Sequence, residues 1–266
     1  MNVGKLVRLN RLFAHPSGRL CSVAVDHFIM YEKDLPAGLR HMRPTLAAIV
    51  AARPDAVTMH KGVASALWPA HAGKIPMIIQ TSLIRPDDSL FEHIATPEDA
   101  VRLGADALAV ACFVRGKTEA AHLRVVNDLV REAARFELPV ICHIYPRIMD
   151  GVPRVSFEPD DIAWAVHCAY EVGVDVVKVP YCGDVKSYAD IVSECPVPVV
   201  AAGGPRAGTL AAALAMMAEV VQAGARGATV GRNIWGFDQV GAAVEAFKAV
   251  IHDGRTSEEA LKAAGL

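Results

Sequence analysis

The 266-residue chain has few of the local signatures that assign a function directly. Its six cysteines (Cys21, Cys112, Cys142, Cys168, Cys182 and Cys195) form no C-x-x-C pair, which argues against a disulfide framework and a structural zinc knot. No run of about 20 apolar residues suggests a membrane span. The opening MNVGKLVRLNRLF carries no apolar stretch long enough for a signal peptide, so a cytoplasmic protein is expected. There is no long Lys/Arg block, and the formal net charge is -2. The chain therefore offers no electrostatic footprint for nucleic acid or an anionic membrane, although local sites for phosphate-sized anions remain open.

What the chain does have is an even composition, 53% hydrophobic and 21% charged, and a repeated alternation of short β-branched runs with Ala/Leu-rich amphipathic stretches. This pattern predicts parallel strands with helical crossovers. Strands are predicted over 20–26, 55–60, 75–82, 105–113, 138–145, 174–181, 197–204 and 227–233. Helices are predicted over 38–52, 117–136, 159–173, 184–195, 206–225 and from about 239 to 251. Eight such units in one chain of this length match a (β/α)8 TIM barrel, whose strands are near-continuous apolar runs because both faces are buried. A doubly wound open sheet is the alternative, but no G-x-G-x-x-G follows the first strand and no Walker A sequence occurs. No low-complexity linker interrupts residues 1–266, so a single domain is expected.

In such a barrel the active site lies at the C-terminal ends of the strands. Polar residues near those ends are Asp26, His27, His60, Lys61, Gln80, Arg115, His143, Tyr145, Arg147, Lys178, Tyr181, Gly203, Gly204, Gly231 and Arg232. The most informative is Lys178, set in the apolar run VDVVKVPYCGD (174–184). Alternation puts Val176, Lys178 and Pro180 on one face, toward the barrel interior. A desolvated lysine has a lowered pKa and attacks carbonyls to give a Schiff base; the alternative is a lysine paired with a carboxylate for structure. Tyr145, on the preceding strand and the same face as His143, is placed either as a proton relay or as an aromatic rim residue. Asp26 can hold a substrate hydroxyl, assist proton transfer or cap the following turn. AAGGPR and VGRN place glycines at the ends of the seventh and eighth strands, where TIM barrels bind phosphate, and Arg232 can add a bidentate contact. Most cysteines read as small core hydrophobes, with Cys182 singled out by its closeness to Lys178.

Together VVKVPYCGD, HIYPRI, VAVDHF, VVAAGGPR and TVGRNIWG resemble the archaeal-type (DhnA-type) class I fructose-bisphosphate aldolases of the DeoC/LacD group along almost the whole chain. The resemblance implies a Schiff-base aldolase needing no cofactor or metal, acting on a phosphorylated ketose. It implies Lys178 as the iminium-forming nucleophile, Tyr145 as acid/base and Asp26 as helper. Gly203, Gly204, Gly231, Arg232 and His27 would bind the substrate and its phosphate, and a homo-oligomer is expected. Two rim positions depart from the family's D-H-G and Y-P-R-G, which here read Asp26-His27-Phe28 and Tyr145-Pro146-Arg147-Ile148. Bulk in place of glycine at these positions counts against fructose 1,6-bisphosphate as the ketose and leaves the lysine chemistry intact, and transferase-type relatives acting on other phosphorylated ketoses are the alternative. Arg115, Lys117, Arg147 and Arg154 are candidates to read a second anionic end.

Two other classes compete with this reading. A metal-dependent lyase would use His27, His60 and His143, but no short H-x-H or H-E-x-x-H spacing supports it and Lys178 would have no role. A non-catalytic phosphosugar-binding barrel would have no need of a desolvated amine.

Overall fold

In the computed structural model the alternating runs close into a parallel barrel; the structure describes residues 2–29 and 36–266. The barrel strands are β1 (Leu20–Ala24), β2 (Ala56–His60), β3 (Met77–Gln80), β6 (Ala107–Val114), β7 (Val140–Ile148), β9 (Val176–Val179), β10 (Val199–Ala202) and β11 (Gly227–Val230). They run in the order β6-β3-β2-β1-β11-β10-β9-β7, and β7 pairs back onto β6 to close the ring. Three short strands lie on the rim. β4 (Ser82–Ile84) and β5 (Phe91–His93) form an antiparallel hairpin, and β8 (Arg154–Val155) folds back on the end of β7.

The helices are α1 (Val3–Leu12), α2 (Ala37–Arg40), α3 (Met42–Ala51), α4 (Lys61–Leu67), α5 (Pro97–Arg102), α6 (Glu119–Ala134), α7 (Pro159–Glu171), α8 (Val185–Glu194), α9 (Leu210–Gln222), α10 (Arg232–Trp235), α11 (Val240–Asp253) and α12 (Ser257–Ala263). The helix expected over 38–52 is two pieces, because the backbone at His41 leaves the helical region (φ -110°, ψ 65°). Most strands end before the polar or glycine residues that closed their apolar runs: the first stops at Ala24, the seventh at Ala202 and the eighth at Val230. β7 runs longer than expected because Arg147 and Ile148 find partners in Val155 and Arg154.

The period of two sorts the side chains. Cys21, Val23, Val57, Met59, Cys112, Cys142, Val177 and Val179 face outward and pack under the helices. Leu20, Ala56, Ile78, Ala107, Ile141, Val176 and Val200 face inward and fill the lower barrel. Below them α1 acts as a plug: Leu12 inserts into this inner cluster, with Leu9 and Phe13 against it. Lys5 pairs with Asp175 at 3.0 Å, and the Gly4 N–H donates to Glu137 at 2.6 Å. α1 is thus tied to the loops entering β9 and β7. Above the apolar layer the inward residues become polar: Ser22, Thr58, Gln80, His143, Lys178 and Thr229 are all buried.

Leu12 is fully buried, so Leu12→Ala is expected to destabilise the fold by about 2–5 kcal/mol, measured by urea unfolding. A loss under about 1 kcal/mol would show that α1 does not close the barrel floor.

Candidate active site

Lys178 sits in β9 with His143 of β7 and Val200 of β10 as its cross-strand neighbours. It faces inward as its spacing from Val176 requires, and only 5% of its surface is exposed. Burial lowers its pKa to about 8; the Asp26 carboxylate opposes that fall and the Arg232 guanidinium adds to it. Much more of the amine is therefore unprotonated near neutrality than for an ordinary lysine, and the unprotonated form is the nucleophile.

Asp26 lies just past β1 and is held on several sides. Gln80 Nε2 donates to Oδ2 at 3.0 Å, and His27 Nδ1 lies 3.3 Å from Oδ1. His60 spans the backbone behind it, with Nε2 3.0 Å from the Asp26 carbonyl and Nδ1 3.3 Å from that of Gln80. Burial alone would raise the carboxyl's pKa, but the hydrogen bond and charge of His27, with Lys178 and His60, hold it well below the usual carboxylate range. Gln80 also reaches His143, Nε2 to Nδ1 at 3.3 Å, while its Oε1 accepts the Ser82 N–H at 3.1 Å. Burial, and then the Lys178 charge, push the His143 pKa down. Burial and the Asp26 charge push the Tyr145 phenol up, so it keeps its proton at neutral pH.

These groups open into one site of two adjoining lobes, sharing His27, Tyr145, Val155, Lys178 and Arg232. The inner lobe, about 260 Å³, is bounded by Asp26, Gln80, His143, Ile84 and Phe113. The outer lobe, about 580 Å³, runs past Gly203, Gly204 and Gly231 to Ile148, Arg154, Phe157 and Glu158, a size in the usual range for small-molecule sites. Gly204 takes a left-handed φ of +71°. At Gly231 a Cβ would lie 2.5 Å from the His27 ring, so only glycine admits that imidazole beside the cavity.

Every residue singled out as catalytic or phosphate-binding thus lines the same space, while several other rim residues do not. Tyr181 points outward, donating to Glu219 at 3.0 Å and packing on Tyr188. Lys61 is outside the barrel, paired with Asp99 at 2.9 Å. Arg115 is held by Asp161 at 2.9 Å against the Trp164 ring. Arg147 is buried but committed to Asp88, the Pro86 carbonyl and Thr118. Of the four basic residues considered for a second anion, Arg154 lines the outer lobe, beside its partner Asp150 at 2.7 Å. Ile148 brings its bulk into the cavity wall, whereas Phe28 is exposed and does not line it. Cys182 Sγ turns to the Asp184 carbonyl rather than to the lysine. The three histidines that a metal-dependent lyase would use do not form a metal site: among the described residues no three His, Cys, Asp or Glu side chains form a ligand cluster, and both ring nitrogens of His60 face backbone carbonyls.

Two supports of the site had no role assigned from the sequence, although Asn233 lies within the VGRN and TVGRNIWG motifs. Asn233 is buried under the glycine loop, donating to the Gly203 and Pro205 carbonyls at 2.7 and 2.9 Å and accepting from the Ala207 N–H at 2.8 Å. Asp88, in the β4–β5 loop, gathers Thr118, His122 and Arg147, and their hydrogen bonds outweigh burial to hold its pKa at about 2. Such partners are far apart in sequence, so only an unexplained buried polar residue type could have hinted at them.

The lowered Lys178 pKa has a stability consequence. The folded chain binds this proton more weakly than the unfolded chain, so the penalty is full below about pH 8 and fades as pH rises toward 10.5. Lys178→Met is therefore expected to be more stable than the parent at pH 7, by on the order of 3 kcal/mol, with the gap shrinking above pH 8. Denaturant unfolding at several pH values checks it, and a pH-independent gap would contradict the assigned burial.

The profile of the DeoC/LacD family aldolases matches residues 20–236. A 2-amino-3,7-dideoxy-D-threo-hept-6-ulosonate synthase of Halobacterium salinarum is 32% identical over 267 residues, covering 100% of this chain and 98% of the relative. A 2-amino-4,5-dihydroxy-6-oxo-7-(phosphonooxy)heptanoate synthase of Streptomyces griseus is 29% identical, covering 97% and 94%. Among solved structures, an archaeal fructose 1,6-bisphosphate aldolase superposes with a TM-score of 0.82 at 27% identity, over 94% of this chain and 100% of that one. Another archaeal fructose-1,6-bisphosphate aldolase structure, with a TM-score of 0.82 at 26% identity over 93% and 99%, has its catalytic lysine bound to the carbinolamine intermediate. The matched span takes in all the barrel strands and the cavity they enclose, and the chain belongs to the DeoC/LacD family as a class I, Schiff-base-forming aldolase.

Proposed function

We propose that the protein makes or breaks a carbon–carbon bond in a phosphorylated ketose, with Lys178 as the Schiff-base nucleophile. The observation that carries this reading is a buried, interior amine whose pKa is brought down to about 8, in one cavity with Tyr145, His27 and the glycine rims of β10 and β11. Lys178 attacks the ketone to give a carbinolamine, and loss of water gives the iminium. The iminium draws electrons as the C3–C4 bond breaks, the aldehyde leaves, and the enamine is protonated and hydrolysed. Tyr145, kept protonated by burial and by the nearby Asp26 charge, relays the protons. Asp26, held ionised, steadies the cationic stages and a substrate hydroxyl.

The phosphate is assigned to the rim formed by Gly203, Gly204, Gly231 and Arg232, with His27 beside it. The Gly203 N–H is taken up by the Thr229 carbonyl at 3.0 Å, so the Gly204 N–H, the turn at Gly231 and the Arg232 guanidinium are the groups that suit an anion there, and Asn233 fixes the glycine loop. The Streptomyces griseus relative's name describes a chain with a 6-oxo group next to a 7-phosphonooxy group, and a ketone beside a phosphorylated carbon is the arrangement proposed for this site. A second reading concerns the aldehyde half. The outer lobe presents Arg154 and Glu158, opposite charges that suit an aldehyde carrying both carboxylate and ammonium, as in a 2-amino acid, so that the synthetic or transferase direction is used. Assembly as a homo-oligomer in the cytoplasm fits both readings.

Sodium borohydride with a panel of phosphorylated ketoses is expected to trap one adduct, mapped to Lys178. Lys178→Ala should fold and lose both label and turnover. A label on Lys61, or turnover persisting in Lys178→Ala, would overturn the assignment. Tyr145→Phe should lower kcat by roughly 10²- to 10⁴-fold with its fold intact; unchanged kinetics in that variant would reduce Tyr145 to a packing residue.

A further inference from the structure

His143 has no role in the mechanism above, yet it is 3% exposed, shares the inner lobe with Lys178, and stands beside it across the β7–β9 pair. Its protonation is dictated by Gln80. The Ser82 backbone N–H can only donate, so the Gln80 atom 3.1 Å from it is the amide oxygen. The ionised Asp26 carboxylate can only accept, so the atom 3.0 Å from it is the amide nitrogen. That nitrogen's second hydrogen is then directed at His143 Nδ1, 3.3 Å away. Nδ1 must accept, and the ring's one proton rests on Nε2. Protonating Nδ1 as well would set N–H against N–H, which agrees with burial and the Lys178 charge lowering the ring's pKa. Among the described residues the His143 ring makes its one hydrogen bond through Nδ1, and none engages Nε2. The result is a neutral imidazole with an unused donor in the pocket of the reactive amine.

We propose that His143 is a catalytic residue: its Nε2–H, oriented by Gln80, donates a hydrogen bond to the carbonyl oxygen that Lys178 attacks, and then to the carbinolamine hydroxyl. The inference rests on the Schiff-base reading above. As the Lys178 Nζ lone pair forms the C–N bond, the C=O π pair moves onto oxygen. A proton leaving the nitrogen passes through Tyr145 to that oxygen, and His143 keeps its own proton throughout. A neutral imidazole is the appropriate donor, because it stabilises developing negative charge on oxygen without adding a cation beside an amine that must stay unprotonated. Gln80 is a positioning residue that acts through the ring.

The test has two arms. In wild-type protein with ¹⁵N-labelled histidine, ring correlations should show His143 protonated at Nε2 and not at Nδ1, and Gln80→Leu should erode that preference. A proton on Nδ1 in the wild type overturns the proposal. In the second arm, dihydroxyacetone phosphate with cyanoborohydride labels Lys178, followed by intact mass. His143→Phe should slow labelling by about 10²-fold, the typical cost of one oxyanion donor, with little change in the probe concentration giving half the maximal rate. His143→Gln, which restores an N–H, should recover part of the rate. Labelling of His143→Phe at the wild-type rate overturns the role of His143 while leaving the Schiff base intact. If no labelling of Lys178 occurs in the wild type, the Schiff-base reading itself fails and takes this inference with it.

Discussion

The site depends on desolvation of one amine. In a closed parallel barrel each strand is covered on both faces, so a side chain at an inward position cannot reach bulk water along the wall as a surface lysine does. The period of two fixes which residues go there: with Val176 in the inner apolar cluster, Lys178 has to face the same interior. The cost of moving a cation from water is met partly by the Asp26 carboxylate and partly by giving up the proton. The lowered pKa of this inward lysine thus has a cause that lies in the strand geometry.

Around that amine the protein keeps ionisable groups in different states within one small space. Asp26 stays charged because His27, Lys178 and His60 surround a carboxylate that burial alone would neutralise. His143 stays neutral and Tyr145 stays protonated because burial acts on them with less compensation. Neighbours whose environments push their pKa values apart can divide the tasks of donor, acceptor and charge. The division is held by hydrogen bonds from β3: Gln80 carries Asp26 and His143 on one amide, and its own orientation is set by a backbone N–H.

How much of this could be read from the chain follows from the range of the interactions. The barrel strands were legible because apolar runs and glycine closures are local, and Lys178 was legible because a charge in such a run violates the local pattern. The plug helix was not: VGKLVRLNRL is amphipathic and heavily charged, and nothing local tells it that its apolar stripe meets a barrel floor rather than solvent. The β4–β5 hairpin was not legible either, because its partners across the rim lie on β6, α6 and β7. Arg147 shows the limit most clearly. Its position beside Tyr145 suggested a substrate contact, but three distant residues converge to occupy its guanidinium.

That occupation also divides the rim. Arg147 anchors the root of the β7–β8 hairpin, joined through Asp88 to the β4–β5 loop and through Thr118 to the start of α6. Past this point Ile148, Arg154 and Val155 form the far wall of the cavity, while the tip between them, from Met149 to Val152, is exposed. Insertions or exchanges in that tip would leave the anchor, and the lysine behind it, undisturbed. Changes in the loop between Ile148 and Arg154 would therefore bear on the far wall of the cavity, which those two residues form, and not on the surroundings of Lys178.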